Sequence, residues 1–244
     1  MNQCLIHMKV DYCKENLILK VYPTVGGCFE EAWSVLKNHF LILFLSVILA
    51  SLLEIPLAYN QYIENISDSD SVGVSFLGMI SFLYYIMIAT PFKYGFDWIY
   101  LSAARKKEPR FEEILSGFKK YLFATLSHLL VIGITGLGFI LLIIPGIYLL
   151  CKLVFVPFLV MDKNVDPIQA IKLSFYLTKG YFWTIFGMGI LSVFIIILGV
   201  ICFIVGVFVS LVWVKSAFAV LYKAVEELHY KEAFVLAGIE IKEE

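Results

Sequence analysis

Four long apolar stretches, separated by short polar segments, dominate the chain from residue 40 onward. Residues 40–59 and 72–92 are each long enough for one helical crossing, because about 20 residues span a hydrocarbon core of about 30 Å. Residues 121–161 and 181–222 are about twice that length, so each is predicted to form a hairpin of two crossings. We therefore expect six transmembrane helices, the second of which continues as helix towards Ala104.

Proline and glycine indicate where the two longest stretches turn. Proline removes a backbone donor and glycine tolerates a turn, so Pro145 and Gly146 are predicted to break the first stretch. Gly206 is the predicted break in the second. The short fourth crossing, residues 147–161, has a re-entrant alternative, but that arrangement would leave the lysines that follow it on the outer side.

The basic residues predict the orientation. The 59–73 loop carries acidic residues and no Lys or Arg, whereas the 105–120 loop is rich in both. Lys and Arg accumulate in the cytoplasmic loops of membrane proteins. Of the 19 basic residues, only Lys93, Lys152 and Lys215 fall in or near predicted crossings. Both termini are therefore predicted to be cytoplasmic.

The segments before the hairpins resemble one another. Residues 29–37 and 111–119 both begin Phe-Glu-Glu and carry Ser and Lys at the same later positions. Residues 166–178 begin Asp-Pro, an N-cap followed by proline at the first helical position. An offset of 60 residues also pairs Gly146 with Gly206. We expect three units, each a short interfacial amphipathic helix followed by a transmembrane hairpin; the alternative is chance similarity among apolar sequences.

Composition supports an all-α polytopic membrane bundle and excludes other classes. Apolar residues make up 61% and charged residues 16% of the chain, against about 45–50% (glycine included) and about 25% in soluble proteins. A soluble domain cannot bury this much apolar surface. The net charge of −1 leaves no basic footprint for nucleic acid. Membrane lipids are therefore the predicted partners, while a protein partner and the oligomeric state are left open.

Three regions are predicted along the chain. Residues 1–28 form a cytoplasmic N-terminal segment without a cleavable signal peptide, and whether it folds is left open. Residues 29–225 form the six-helix transmembrane domain, and residues 226–244 a cytoplasmic tail. The five cysteines show no C-x-x-C spacing, so neither a disulfide framework nor a zinc site is indicated.

Three short motifs carry a resemblance to known proteins. They are P-F-K-Y-G at 91–95, I-P-G-I at 144–147 and S-F-Y-L-T-K-G at 174–180. Over residues 29–225 the chain resembles a group of uncharacterised bacterial integral-membrane families, related to the membrane domain of some glycerophosphoryl diester phosphodiesterases. The resemblance implies a six-helix topology in a bacterial cytoplasmic (inner) membrane. It implies no phosphodiesterase activity, because the soluble catalytic barrel of those relatives is missing from this sequence.

Charged residues inside the crossings are the best candidates for a functional site. Glu54, Lys152 and Lys215 form a candidate intramembrane polar site, either as a pathway or as a site for an anionic headgroup. A structural ion pair or snorkelling lysines are the alternative. Glu54 and Lys152 are predicted to lie at similar depth and to pair, with Lys215 as the other possible partner of Glu54.

The remaining candidates suggest little chemistry. Lys93 and Asp97 are four residues apart on one helix face, and we expect an interfacial pair at the cytoplasmic end of the second crossing. His128 lacks neighbouring ligands, so it is predicted to be a hydrogen-bonded packing residue and no metal or cofactor is expected. No catalytic motif is recognisable. The sequence thus favours a non-catalytic protein that assists or organises envelope or lipid components; a small-solute or lipid transporter is the alternative.

Overall fold

The computed structural model describes residues 23–66 and 72–237, and within these ranges the chain forms helices and turns without any β-strand. The all-α prediction is confirmed. Its α-helices are α1 Val25–Asn38, α2 Phe40–Ile66, α3 Val72–Tyr84, α4 Thr90–Ala104, α5 Ser116–Lys119, α6 Tyr121–Leu141, α7 Ile143–Leu153, α8 Val156–Lys163, α9 Pro167–Leu177, α10 Phe182–Ile201 and α11 Phe203–Ala237. A π-helical turn, Tyr85–Ala89, joins α3 to α4, and a 3₁₀ turn, Phe111–Leu115, precedes α5.

Five helical segments of this part are long and apolar enough to cross a membrane. A sixth is added when α1 and the first part of α2, which meet at a bend of 98°, are taken as one span. The outside of the bundle is correspondingly apolar: Ile140 is 82% and Ile144 80% exposed. Such a surface is stable in lipid rather than in water. The chain is therefore a multi-pass membrane protein.

Helix α1 packs across the bundle because one of its faces is apolar. Thr24 caps the helix by accepting a hydrogen bond from the Gly27 backbone N–H. The buried side chains then recur every three or four residues, at Cys28, Phe29, Ala32, Val35 and Leu36. This face lies against α11, where the Trp213 indole N–H donates to the Phe29 carbonyl over 2.9 Å. The bend after Asn38 thus brings the beginning of the described chain against its last helix.

Helix α4 forms the centre of the bundle. It contacts α2, α6, α8 and α11, and nearly all of its side chains are buried. The second crossing continues as helix to Ala104, as predicted, but passes through the π-helical turn, where the Thr90 hydroxyl donates to the Tyr85 carbonyl. Every element that contributes to the sites described below touches α4 or a neighbour of α4.

The two hairpins turn earlier than predicted. Helix α6 ends at Leu141 and α7 begins at Ile143, so the break is Leu142, whose backbone is extended. The second break is Cys202, between α10 and α11. Pro145, Gly146 and Gly206 instead lie in the first turns of the helices that follow, so the predicted break positions are wrong by about three or four residues.

Two physical reasons explain the displaced breaks. The first backbone hydrogen bond of α7 runs from the Gly146 N–H to the Leu142 carbonyl, so Pro145 lies where a helix has no donor to lose. The glycines near the turns allow the two antiparallel helices to pack closely, and they do not form the turns themselves. A Cβ on Gly138 would lie 3.1 Å from the Gly146 Cα, and a Cβ on Gly199 would lie 2.7 Å from the Gly206 carbonyl oxygen.

The fourth crossing is kinked but complete. It consists of α7 and α8, with the interruption at residues 154–155 just before Pro157. At its end, the Met161 carbonyl accepts a hydrogen bond of 2.7 Å from Lys120, the residue that precedes α6. The segment therefore runs from the hairpin turn back to the end of the bundle where α6 begins, which disagrees with the re-entrant alternative.

Beyond this crossing, one helix matches its predicted extent and the last helix exceeds it. The third predicted interfacial segment, residues 166–178, is helical as α9, with Asp166 in the N-cap position. Helix α11 continues to Ala237, so Glu226 is buried in the bundle although it was assigned to the tail. Residues 1–22, and with them most of the predicted N-terminal segment, lie outside the described residues.

Candidate functional site

A cleft of about 160 Å³ lies between α2, α4 and α11, and we call it the charged cleft. Glu54 belongs to its α2 wall, Lys93 to its α4 wall and Lys215 to its α11 wall. The cleft joins two of the three residues that were predicted to form an intramembrane site, and it adds Lys93, which was expected at the interface. It is lined by Ser46, Val47, Ala50, Ser51, Glu54, Lys93, Phe96, Tyr100, Leu211 and Lys215.

Lys215 is anchored by an ion pair with Asp97. Its ammonium donates to Asp97 Oδ1 over 2.9 Å; the carboxylate is buried, and the lysine side chain is 40% exposed. The expected pair of Lys93 with Asp97 is therefore wrong, because Asp97 faces α11. Two helical turns further along, Lys223 donates to the Ala104 carbonyl, which fits α4 and α11 running in parallel.

Lys93 lies between the acidic groups of the cleft without pairing closely with them. The Tyr85 hydroxyl is within hydrogen-bonding reach of the Lys93 ammonium, and Asp97 and Glu54 are near enough to act on its charge. Among the described residues, however, neither carboxylate comes within 4.0 Å of the Lys93 ammonium as an ion pair. A narrower cavity of about 20 Å³ beside the cleft is lined by Glu54, Lys93, Tyr85 and Ala89. The π-helical turn thus borders the space between Glu54 and Lys93.

The α2 wall presents hydrogen-bond acceptors. Ser51 and Glu54 are three residues apart on one helix face, and the Ser51 hydroxyl donates its proton to the Val47 carbonyl over 2.9 Å. The lone pairs of that hydroxyl remain able to accept. Deeper along α2, the Ser46 hydroxyl contacts the Tyr100 hydroxyl at 3.1 Å and donates to the Leu43 carbonyl, which closes this end of the cleft.

Lys152 does not belong to the cleft. Its ammonium donates to the Thr178 carbonyl at the end of α9 over 3.2 Å and lies 5.6 Å from the centre of the Tyr148 ring. The Ser174 hydroxyl donates in turn to the Lys152 carbonyl. The predicted pairing with Glu54 is therefore wrong. Helix α7 packs against α6, α9 and α10, whereas α2 packs against α3, α4 and α11, so equal depth did not make the two residues neighbours.

A second polar cluster lies at the end of the bundle that carries Arg105, which we call the basic end. Arg105 donates two hydrogen bonds to Asp162, at 2.5 and 2.7 Å, and a third to Glu226 at 2.5 Å. Lys163 lies 2.6 Å from Glu226, and the Tyr222 hydroxyl donates to Asp162. Burial alone would lower the pKa of Arg105, but the two carboxylates outweigh it and raise that pKa above its ordinary value. This cluster ties α4, α8 and α11 together.

None of the residues in this second cluster was among the predicted site residues. Arg105 lies in the predicted 105–120 loop and Glu226 in the predicted tail, and Asp162 directly follows the fourth predicted crossing. No sequence pattern links its members, because Arg105 is separated from Asp162 by 57 positions and from Glu226 by 121. Its members hold one another with complementary charge, and we assign the cluster a structural role.

His128 lies between the rings of Tyr85 and Tyr94, with centroid distances of 5.7 and 6.2 Å. Its Nε2 is buried and has no hydrogen-bond partner among the described residues, so the expected hydrogen bond is not seen at that atom. In the described ranges, no three His, Cys, Asp or Glu side chains are grouped as ligands for a metal ion. The charged cleft is accordingly the strongest candidate for a binding site.

Comparison with known proteins returns no relative: the chain matches no protein-family model, no curated protein and no solved structure. The resemblance of residues 29–225 to bacterial membrane families therefore stays a prediction.

Proposed function

We propose that this chain is a non-catalytic accessory protein of a bacterial cytoplasmic membrane that holds the polar part of a lipid in the charged cleft. The observation that carries this proposal is the cleft itself, where Glu54 and Lys93 face a space of about 160 Å³ without forming an ion pair with each other. At about 1.5 Å per residue, Lys93 lies about 16 Å along the helix from Ala104, well within the membrane-spanning part of the chain.

Energetics support a ligand in this place. A charged side chain at the centre of a membrane helix costs about 2.5–3.5 kcal/mol on insertion scales, so such residues are retained chiefly where they serve a site or pair with one another. Pairing explains why Lys215 is retained, because it forms an ion pair with Asp97. Glu54 and Lys93 make no such close pair with each other. Lys93 has the Tyr85 hydroxyl as a neutral partner, and a polar group of lipid would supply the charged partner that both residues lack.

The hydroxyl groups of the cleft favour binding over catalysis. An activated serine donates its proton to a neighbouring base, usually a His, Lys or carboxylate. Here the Ser46 and Ser51 hydroxyls donate to backbone carbonyls of their own helix. These are the bonds of packing serines within a helix, and they support a site that holds its ligand unchanged.

We propose that the basic end faces the cytoplasm. Arg105, Lys120 and Lys163 lie at this end, and the positive-inside rule assigns such an end to the cytoplasmic side. Helix α1 bends by 98° from α2 and fits a position along the same interface. Under this orientation the Tyr100 end of the cleft lies towards the inner leaflet, and Glu54 lies further out.

Native mass spectrometry of the purified protein tests the proposal. Wild type should retain phospholipid through gentle removal of detergent, and Lys93→Gln should lower the lipid-bound fraction about tenfold, because a charge-assisted contact to phosphate is lost. Lys106→Gln is the matched control, since Lys106 is 75% exposed at the basic end. Equal lipid retention by Lys93→Gln and wild type, with unchanged thermal unfolding, would contradict the proposal.

A lipid translocator is the second candidate, and the direction of the cleft favours it. The lining runs along α2 from Ser46 to Glu54, about 12 Å at the helical rise, so polar groups are spread along the membrane normal rather than gathered at one depth. Translocation of a fluorescent lipid into reconstituted vesicles, read by its loss on dithionite quenching, tests it. A translocation rate equal to that of protein-free vesicles would contradict the translocator, and lipid binding would remain as the proposed role.

A further inference from the structure

We infer that the charged cleft selects a headgroup that carries a primary ammonium and a phosphate joined by a short linker, as in a phosphoethanolamine lipid. This inference rests on the proposed function and adds the chemical class of the ligand. It comes from the way in which hydrogen-bond acceptors and donors are divided between the walls of the cleft.

The α2 wall suits an ammonium group. Glu54 offers two carboxylate oxygens, and Ser51, one helical turn away, offers only its lone pairs because its proton is donated to Val47. A primary ammonium has three N–H donors and no acceptor, which matches this set. A quaternary ammonium has no N–H to donate, so a choline headgroup would leave these oxygens without hydrogen bonds.

The opposite walls suit a phosphate. Lys93 on α4 and Lys215 on α11 are ammonium groups, which bind phosphate oxygens as point charges. Lys215 shares its charge with Asp97, so Lys93 is the principal contact and Lys215 the secondary one. A phosphate with no attached cation would satisfy these lysines but leave Glu54 beside further negative charge.

Size and surroundings favour a lipid over a soluble zwitterion. A space of about 160 Å³ is well above the roughly 10–15 Å³ that one water needs, so it admits a compact headgroup, and it is too small for acyl chains. Val47, Ala50 and Leu211 line the same space and provide apolar contact beside the charges. The acyl chains would then remain in the bilayer, against the apolar outside of the bundle.

A methylation series of one lipid tests the inference on the unmodified protein. Phosphatidylethanolamine, its mono- and dimethyl forms, phosphatidylcholine and phosphatidylglycerol, all with the same acyl chains, compete for the protein in nanodiscs, and bound lipid is read by native mass spectrometry. Retention should fall stepwise with methylation, about tenfold from ethanolamine to choline, and phosphatidylglycerol should bind at least as weakly as choline.

Variants assign the selectivity to the cleft. Glu54→Gln should remove the preference for ethanolamine over glycerol while lipid is still bound, and Lys93→Gln should weaken binding of every lipid. Glu31→Gln is the control, because Glu31 pairs only loosely, at 3.8 Å, with the exposed Lys106 at the basic end. Soluble phosphoethanolamine, added at millimolar concentration, should not displace the bound lipid.

The outcomes separate the two claims. Equal retention across the methylation series, a preference for phosphatidylglycerol, or unchanged selectivity in Glu54→Gln would overturn the inference while leaving the lipid-binding role intact. Displacement of the bound lipid by soluble phosphoethanolamine would overturn the claim that the ligand is a membrane lipid. If lipids of the methylation series were retained equally and Lys93→Gln also retained as much lipid as wild type, the proposed function would be overturned as well.

Discussion

At the scale of single residues, two glycines determine how closely the chain can approach its central helix. A Cβ added to Gly95 would collide with the Ile114 carbonyl oxygen, and one added to Gly117 with the Pro91 carbonyl oxygen. The obstacles are backbone atoms, which cannot rotate away as a side chain can. The segment before α6 is therefore held against α4 at backbone contact distance.

Gly117→Ala should destabilise the protein. Because the backbone around Pro91 must shift to admit the methyl group, we expect a loss of about 1–3 kcal/mol, the usual range for overpacking. Thermal unfolding in detergent measures it. Gly133→Ala is the matched control on α6, where nothing lies within 4 Å of the added Cβ and alanine should be neutral or stabilising by up to about 1 kcal/mol. Equal unfolding temperatures of the two variants would contradict the packing argument.

The Asp97–Lys215 pair should show coupling in a double-mutant cycle. Asp97→Asn and Lys215→Met each leave one charge without its partner, so each should destabilise the protein, whereas the double variant should lose less than the sum. We expect a coupling free energy of about 0.5–3 kcal/mol from chemical denaturation in mixed micelles. Strictly additive effects would show that the 2.9 Å contact contributes no net stability.

Sequence reasoning identified polar residues within the crossings but not their partners. Glu54, Lys152 and Lys215 stood out because charge is costly in lipid, whereas Lys93 was expected in an interfacial pair with Asp97. Which side chains pair depends on which helices are neighbours and on the direction in which each helix face points. Neither property follows from the depth of a residue along its helix. Depth alone therefore predicted a partner for Glu54 on α7, a helix that packs elsewhere.

At the scale of helices, the two observed breaks keep the 60-residue spacing that Gly146 and Gly206 show in the sequence. Leu142 and Cys202, where the hairpins turn, are 60 residues apart, the offset that aligns the two units in the sequence. Each turn lies where the backbone hydrogen bonds of the preceding helix end. The glycines beside the turns are explained by the close approach of the two antiparallel helices. The shared offset supports the interpretation of these hairpins as repeats.

Arg105 joins three helices, and its geometry should make lysine a poor substitute. The guanidinium reaches Asp162 with two nitrogens and Glu226 with one of the same two, which a single ammonium cannot reproduce. Arg105→Lys should therefore lower the free energy of unfolding by about 1.5–3 kcal/mol, the value of a charge-assisted hydrogen bond.

The matched comparison for Arg105 is its exposed neighbour. Lys106→Ala removes a contact of 3.8 Å to Glu31 and should change stability by less than about 1 kcal/mol, because exposed ion pairs contribute little. Urea titration of both variants under one set of conditions gives the comparison. If Arg105→Lys proved as mild as Lys106→Ala, the cluster at the basic end would not hold α4, α8 and α11 together.

At the scale of the whole molecule, hydrophobic length was sufficient to predict an all-helical membrane bundle and the approximate limits of its crossings. Helix limits shifted where a local feature overrode composition, as at the kink before Pro157 and in α11, which passes residue 225 without interruption. The charged cleft could not be predicted from the sequence, because it forms only where α2, α4 and α11 pack together. The orientation of the bundle remains a prediction from charge.

Cysteine labelling tests that orientation. In a background without native cysteines, a cysteine at position 69, in the acidic loop outside the described residues, should react with an impermeant maleimide in intact cells. A cysteine replacing Glu108, in the basic loop, should react only after lysis, because Lys and Arg retain that loop in the cytoplasm. The opposite labelling pattern would invert the proposed topology and place the basic end outside.

The most direct test of a lipid site in the charged cleft is a cryo-EM reconstruction in nanodiscs containing phosphatidylethanolamine, with a rigid antibody fragment bound as a fiducial. The account predicts headgroup density between α2 and α4, with phosphate density within about 4 Å of the Lys93 ammonium and the amine directed at Glu54. A cleft closed by a direct Glu54–Lys93 ion pair, with lipid density confined to the outside of the bundle, would contradict it.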